Sequence, residues 1–181
     1  RAYGMRVDSG LGDVVATNEG SISATYSGGL FAGTAFGMLG TSEAGDVTLY
    51  NRGGDITTSV SGQSVGMFAQ SGQANAVAIN VTGTISASSY DGYAVGIVAS
   101  ADNGFASVGN FSSSAETASI TAYAAYGYAI GMLGTGYGVT ASNTGSIEAS
   151  GYYLAAGIVA QSTNYTSVST SEDGSISAIA V

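Results

Sequence analysis

The 181-residue chain has no cysteine, proline, tryptophan or histidine, and its only cations are Arg1, Arg6 and Arg52. Without cysteine there are no disulfides, thiolate metal sites or cysteine nucleophiles. Without histidine the commonest general base is missing. Three cations against twelve acids give a formal charge of −9. Phosphate neutralisation takes clustered Lys and Arg, so no nucleic-acid partner is expected, and anionic membrane surfaces are excluded on the same ground. Gly, Ser or a charge interrupts every apolar stretch well short of the ~18 residues of a membrane span, so no membrane insertion by this segment is expected. The chain begins Arg1-Ala2-Tyr3-Gly4, with neither a Met nor a signal segment, and reads as a processed or excised piece of something larger.

What is present is equally biased. Hydrophobic residues make up 45% and charged residues 8%, which is not the profile of a disordered chain. The balance is 29 Gly, 12 Tyr and many Ser, Thr and Ala, small residues suited to flat, closely stacked surfaces. Two markers recur. Gly followed by Met or Ile occurs at Gly4, Gly37, Gly66, Gly96, Gly131 and Gly157, at intervals of 33, 29, 30, 35 and 26 residues. An Ile among small polar residues occurs at Ile22, Ile56, Ile85, Ile120, Ile147 and Ile176, at intervals of 34, 29, 35, 27 and 29. A shared period near thirty is the signature of a repeat architecture.

Each repeat contains three β-like runs. Run A is typified by Ala35-Phe36-Gly37-Met38-Leu39, run B by Val47 to Asn51, and run C by Gly145-Ser146-Ile147-Glu148-Ala149. Short runs with β-branched centres between Gly, Asn and Ser read as strands and turns. The expected fold is therefore all-β: a parallel, three-sided β-helix or solenoid of about six coils, about 30 residues per coil, forming one domain over 1–181. Approximate coil bounds are 1–31, 32–61, 62–90, 91–125, 126–151 and 152–181. The Ile residues should stack as an inward ladder, since one coil alone cannot bury its apolar side. Asn18, Asn51 and Asn143 should mark a corner, with the Gly two positions later in a positive-φ conformation. Coil four, with an insertion between Asn110 and Ile120 and Ala118 in place of Gly, should carry a bulged loop.

The stretch Gly45-Asp46-Val47-Thr48-Leu49-Tyr50-Asn51-Arg52-Gly53-Gly54-Asp55-Ile56, and the pattern running from Tyr128 to Ala149, resemble passenger repeats of bacterial autotransporters and haemagglutinin-like β-solenoid adhesins. The resemblance implies an extracellular right-handed β-helix at the bacterial cell surface, normally anchored by a C-terminal membrane barrel. It carries no catalytic motif.

Enzymatic solenoids set a useful contrast. Glycoside hydrolysis needs paired carboxylates within reach of one bond, whereas the twelve acids here are scattered. A cross-coil pair such as Asp46 with Asp13 could share a face, but solvated strand-end charges are the simpler reading. No enzyme, cofactor or metal site is expected. Tyr90, Tyr93, Tyr123, Tyr126, Tyr128, Tyr152 and Tyr153 all fall between runs C and A, so in-register stacking should gather them along one corner. There they either pack on one another or contact glycans or proteins. In run A, simple alternation puts Phe36, Val65, Val95 and Ile130 on one side with the Met and Ile residues. It puts the glycines on the other side with Leu39, Phe68, Val98, Leu133 and Val159. That second side should form an exposed apolar stripe of about 340 Å², estimated from strand spacings, in the size range of interaction sites. Ser and Thr on both sides of the run C isoleucines also permit an ice-binding array, though ordinary polar-out alternation accounts for them equally. Sequons at Asn80, Asn110 and Asn164 are no more than a Ser/Thr-rich chain produces by chance. The functional expectation is a rigid adhesive or structural spacer that associates with copies of itself, a glycan or a host or cell-surface protein. The alternative is a fibre subunit stacking end to end.

Overall fold

The computed structural model describes residues 1–27 and 33–180. The expected boundary between the first two coils, at residues 31 and 32, and the last residue, Val181, lie outside the described residues. Coil one contains β1 (Ala2–Ser9), β2 (Val14–Asn18) and β3 (Ile22–Tyr26); coil two contains β4 (Thr34–Ser42), β5 (Val47–Arg52) and β6 (Ile56–Val60). In coil three, runs B and C join, giving β7 (Gln63–Ser71) and β8 (Ala76–Ser89). In the remaining coils run A continues into run B: β9 (Tyr93–Asn110) precedes β10 (Ala118–Ala124), β11 (Tyr128–Asn143) precedes β12 (Ser146–Gly151), and β13 (Leu154–Thr170) precedes β14 (Ser175–Ala180). The chain is a parallel β-solenoid of six coils.

Each run pairs only with its equivalents above and below. Run C stacks β3-β6-β8-β10-β12-β14, and Ile22, Ile56, Ile85, Ile120, Ile147 and Ile176 become successive partners. Run A aligns Met5, Met38, Met67, Ile97, Met132 and Ile158. Ile56, Ile85, Ile97, Met38, Met67 and Met132 are fully buried in one continuous core. The narrow corner between runs C and A is filled by alanines, among them Ala87, Ala94, Ala122, Ala129 and Ala149. Where Thr58 and Ser64 replace alanine there, their hydroxyls satisfy one another at 2.8 Å.

The two sequence markers keep step because they touch. A β-carbon at Gly4, Gly37, Gly66, Gly96, Gly131 or Gly157 would collide with Cγ2 of Ile22, Ile56, Ile85, Ile120, Ile147 or Ile176, respectively. Each isoleucine thus occupies the space that a run A side chain would need. Packing at interior density leaves no slack for even one methyl group.

A buried amide ladder closes the corner between runs B and C. Nδ2 of Asn18, Asn51, Asn80 and Asn110 donates to Oδ1 of the next asparagine at 2.8–2.9 Å, ending at Asn143. The same Nδ2 atoms also reach turn carbonyls such as Gly20 O and Gly54 O. The expected positive φ two residues later holds at Gly53 (φ 79°) but not at Gly20 or Gly145; among the described residues the other left-handed one is Gly83 (φ 92°). At Gly54 and Gly145 glycine is required for a different reason: a β-carbon would strike the carbonyl oxygen of Gly20 or Ala118 in the preceding coil. The insertion in coil four forms a loop over 111–117, outside any strand.

Candidate functional site

Strict alternation fails in run A. Gly37 and Met38, adjacent in sequence, both face the core, and the ladder register skips the glycine position at each step. Phe36 and Leu39 therefore both face outward. Phe36, Val65, Val95 and Ile130 lie on the outer wall beside Phe68, Val98 and Leu133, forming an apolar cluster separate from the core. This corrects the expected split, which paired the first set with the methionines and put the glycines outside. The glycine has no side chain to point away from the opposing isoleucine, so the backbone turns it inward and the following residue stays inward too.

The outer wall consequently has two columns, apolar from coil two onward. One runs Tyr3, Phe36, Val65, Val95, Ile130, Ala156; the other runs Arg6, Leu39, Phe68, Val98, Leu133, Val159. Less of this surface meets water than the 340 Å² estimate implies. Leu39 and Val98 are only 8% and 6% exposed, because neighbouring columns cover them. Phe36 stacks on Tyr3 at 5.7 Å and meets Phe68 edge-on.

The tyrosines supply the exposed part. Tyr93 and Tyr128 are ladder partners, with rings stacked at 4.9 Å and 13°, and Tyr153 lies 5.7 Å from Tyr128. A parallel row of Tyr90, Tyr126 and Tyr152 runs at 5.2 and 6.1 Å. Tyr152 joins the rows through an edge contact with Tyr153. All six are exposed. Mutual packing and display coexist here: stacked rings cover one another's faces and leave edges and hydroxyls outward. Tyr123, on β10 opposite Ser88 and Ser150, lines shallow hollows beside Tyr90 and beside Tyr152. Tyr93 and Tyr128 begin the strands that next place Val95 and Ile130 on the outer wall. The corner and the wall form one continuous surface.

That surface is nearly free of charge. From coil two onward, run A holds no Asp, Glu, Lys or Arg before its turn into run B, although the chain carries −9; Asp91, in the turn between Tyr90 and Tyr93, and Asp102, further along β9, are the neighbouring exceptions. In coil one, Arg6 Nε donates to Asp8 Oδ2 at 2.6 Å and Thr41 Oγ1 donates to Asp8 Oδ1 at 2.7 Å. The Thr41 hydroxyl is the largest cause that holds the Asp8 carboxyl below its usual range; burial opposes it, and the hydrogen bond and charge of Arg6 add to the lowering.

A second aromatic row was missed by sequence reasoning. Phe105, Tyr137 and Tyr165 are exposed at the turn from run A to run B in coils four to six, where the ladder shifts between Gly136 and Gly138. Its signal was present: an aromatic residue recurs after Gly104, Gly136 and Asn164.

The remaining candidates are structural in their contacts. Asp13 Oδ1 accepts the backbone N–H of Asp46, and Asp46 Oδ1 accepts that of Asn75. These carboxylates cap successive turns rather than facing each other across a cleft. The run C hydroxyl array is broken by Glu148, the ladder partner of Thr121, and by Asp55, which accepts from Thr84 Oγ1. Asn80 and Asn110 are fully buried in the amide ladder, which leaves Asn164 as the exposed sequon. Among the described residues no cluster of acids is placed to hold a metal ion. Comparison with protein-family models, with curated proteins and with solved structures finds no match to this chain.

Proposed function

We propose that this chain is a rigid adhesive segment of a bacterial surface protein, holding other copies or a cell-surface partner through the tyrosine corner and the adjoining wall of run A. The observation that carries this reading is the alignment of six exposed tyrosines, scattered over 64 residues of sequence, into two rows continuous with a wall that is apolar and uncharged from coil two onward. Rings held by their neighbours lose little conformational freedom on binding, which is why tyrosine serves contact surfaces well. In a molecule of charge −9 the uncharged wall is also where a second copy approaches with least repulsion. The capping role of Asp13 and Asp46 favours a non-enzymatic reading, and the resemblance to autotransporter passenger repeats accords with an extracellular location.

Sedimentation velocity of the chain against a Tyr126→Ser/Tyr128→Ser/Tyr152→Ser variant tests the reading. Concentration-dependent association in the parent and its loss in the variant are expected. A parent that stays monomeric at high concentration and binds no cell surface, or a variant that behaves identically, would refute it.

End-to-end stacking is the second reading. Ile176 and Val168 are 44% and 53% exposed, whereas their ladder partners Ile147 and Ala141 are 2% and 1% exposed. A further coil, from the same chain or another copy, would bury them. Filaments in electron micrographs, surviving the tyrosine substitutions, would favour this mode over the lateral one.

A further inference from the structure

Tyr123 differs from the six tyrosines of the corner rows. Its ring is 49% exposed and, among the described residues, pairs with no other aromatic ring. It projects from the outer face of run C in coil four, where the equivalent positions in coils two, three and five are Ser59, Ser88 and Ser150. One large ring therefore stands in a column of small hydroxyl side chains, with a shallow hollow on each side. The larger, of about 400 Å³, is bounded by Tyr123 and Tyr90 and floored by Ser59, Ser61 and Ser88. The smaller, of about 170 Å³, lies between Tyr123 and Tyr152 over Ser150 and Gly151. Ala125 lines both, and its methyl group leaves the space beside Tyr123 open. Ser59, Ser61 and Ser88 are half-buried. The Ser89 hydroxyl is engaged by the Gly62 carbonyl, whereas those three hydroxyls have no protein partner among the described residues and remain available to both donate and accept.

These linings select among ligand chemistries. No charged side chain lines either hollow, so an anion finds no cation and a hard cation finds no carboxylate. A wholly apolar ligand would strip water from the serine hydroxyls and return nothing. A sugar ring offers both an apolar C–H face and an edge of hydroxyls that donate and accept. We propose that the hollow between Tyr90 and Tyr123 binds one neutral sugar ring of a glycan chain, and that the hollow beyond Tyr123 takes a further ring of the same chain. The first ring lays its C–H face against Tyr123, and its hydroxyl edge meets Ser59 and Ser88. Those two are ladder partners, about 5 Å apart, and Ser61 is two residues from Ser59 at the corner, so one ring reaches all three. Ser88 and Ser150 stand two strand spacings apart, roughly 10 Å, so a linear trisaccharide lying along the stack reaches both hollows. The inference rests on the adhesive reading in taking the tyrosine corner as a contact face, and it adds the partner's chemical class.

The test is a backbone-amide NMR titration of the whole chain with the methyl β-glycosides of glucose, galactose and N-acetylglucosamine, and with their β-1,4-linked trimers. At least one sugar should give saturable shifts at Ser59, Ser61, Ser88 and Tyr123, and its trimer should bind more tightly and also shift Ser150. With otherwise native spectra, Tyr123→Ala should weaken binding roughly tenfold, as loss of one aromatic contact does. Ser88→Leu, which fills the floor, should abolish it, and Tyr137→Ser, on the far edge of run A, should leave it unchanged. Absence of saturable shifts with every sugar overturns the proposal, as does unchanged affinity in both Tyr123→Ala and Ser88→Leu. Tighter binding of methyl β-glucuronide than of the glucoside would overturn it too. So would shifts of Ser59 and Ser88 that follow the concentration of the chain itself and not that of sugar, since the occupant would then be a second copy. Sedimentation of Tyr123→Ala keeps the two readings apart: both tyrosine rows are intact in it, so association should persist while sugar binding falls. Association without sugar binding in the parent would end this inference alone.

Discussion

At the scale of single residues, the governing contact is glycine against isoleucine across the core. Gly66→Ala would place a methyl group against both Ile85 Cγ2 and the backbone oxygen of Gly96. We expect a loss of about 3 kcal/mol or more in urea unfolding, at or beyond the upper end of overpacking penalties. Adding Ile85→Ala should restore little of it, because the backbone oxygen remains and a cavity is added. Both partners were legible in the sequence as recurring markers. Their contact was not, since periodicity reports spacing along the chain and nothing about what lies across the core. Asp8 offers a second test. Its folded-state pKa is depressed, so its contribution to stability is complete above the unfolded carboxyl value and is lost as pH falls through the lower folded value. Thr41→Val should move the Asp8 titration, followed by NMR, upward toward the ordinary range and bring that loss to higher pH. The effect on stability will be small at so exposed a pair.

At the scale of strands, runs B and C obey the two-residue alternation and run A does not. The inward positions of β5 and β6 follow from their sequences alone: Val47, Leu49 and Asn51 point in, as do Ile56, Thr58 and Val60. In β4 the adjacent pair Gly37-Met38 breaks the count, and every outward residue after it shifts by one place. A glycine has no side chain to betray its facing, so the inversion was invisible without the opposing isoleucine. The amide ladder was partly readable. Asn18, Asn51 and Asn143 marked the corner, and the structure extends it through Asn80 and Asn110. Asn80→Ala should destabilise by about 1–3 kcal/mol, the range for stranding buried polar partners, because Asn51 loses an acceptor and Asn110 a donor. Denaturant midpoints of the variant and parent would measure it. Asn164→Ala, at an exposed position, should leave the midpoint unchanged.

At the scale of the whole molecule, stability is shared between neighbouring coils, and opening free energy should grade along the stack. Amide hydrogen exchange should be slowest in β8 and β10, which have a partner on both sides. It should be faster by orders of magnitude in β14, where every residue is exposed and only β12 pairs. Uniform protection from β8 to β14 would contradict a nearest-neighbour stack. The sequence by itself determined the solenoid, its six coils and the isoleucine column. Parallel stacking repeats each residue's surroundings once per coil, so the repeat is written directly in the order of residues. Only the tertiary structure decided which side of run A meets solvent, how far the apolar columns cover one another, and that the tyrosine rows continue into that wall. Those properties depend on groups that face each other across the core or meet around a corner, separations that no single period along the chain encodes.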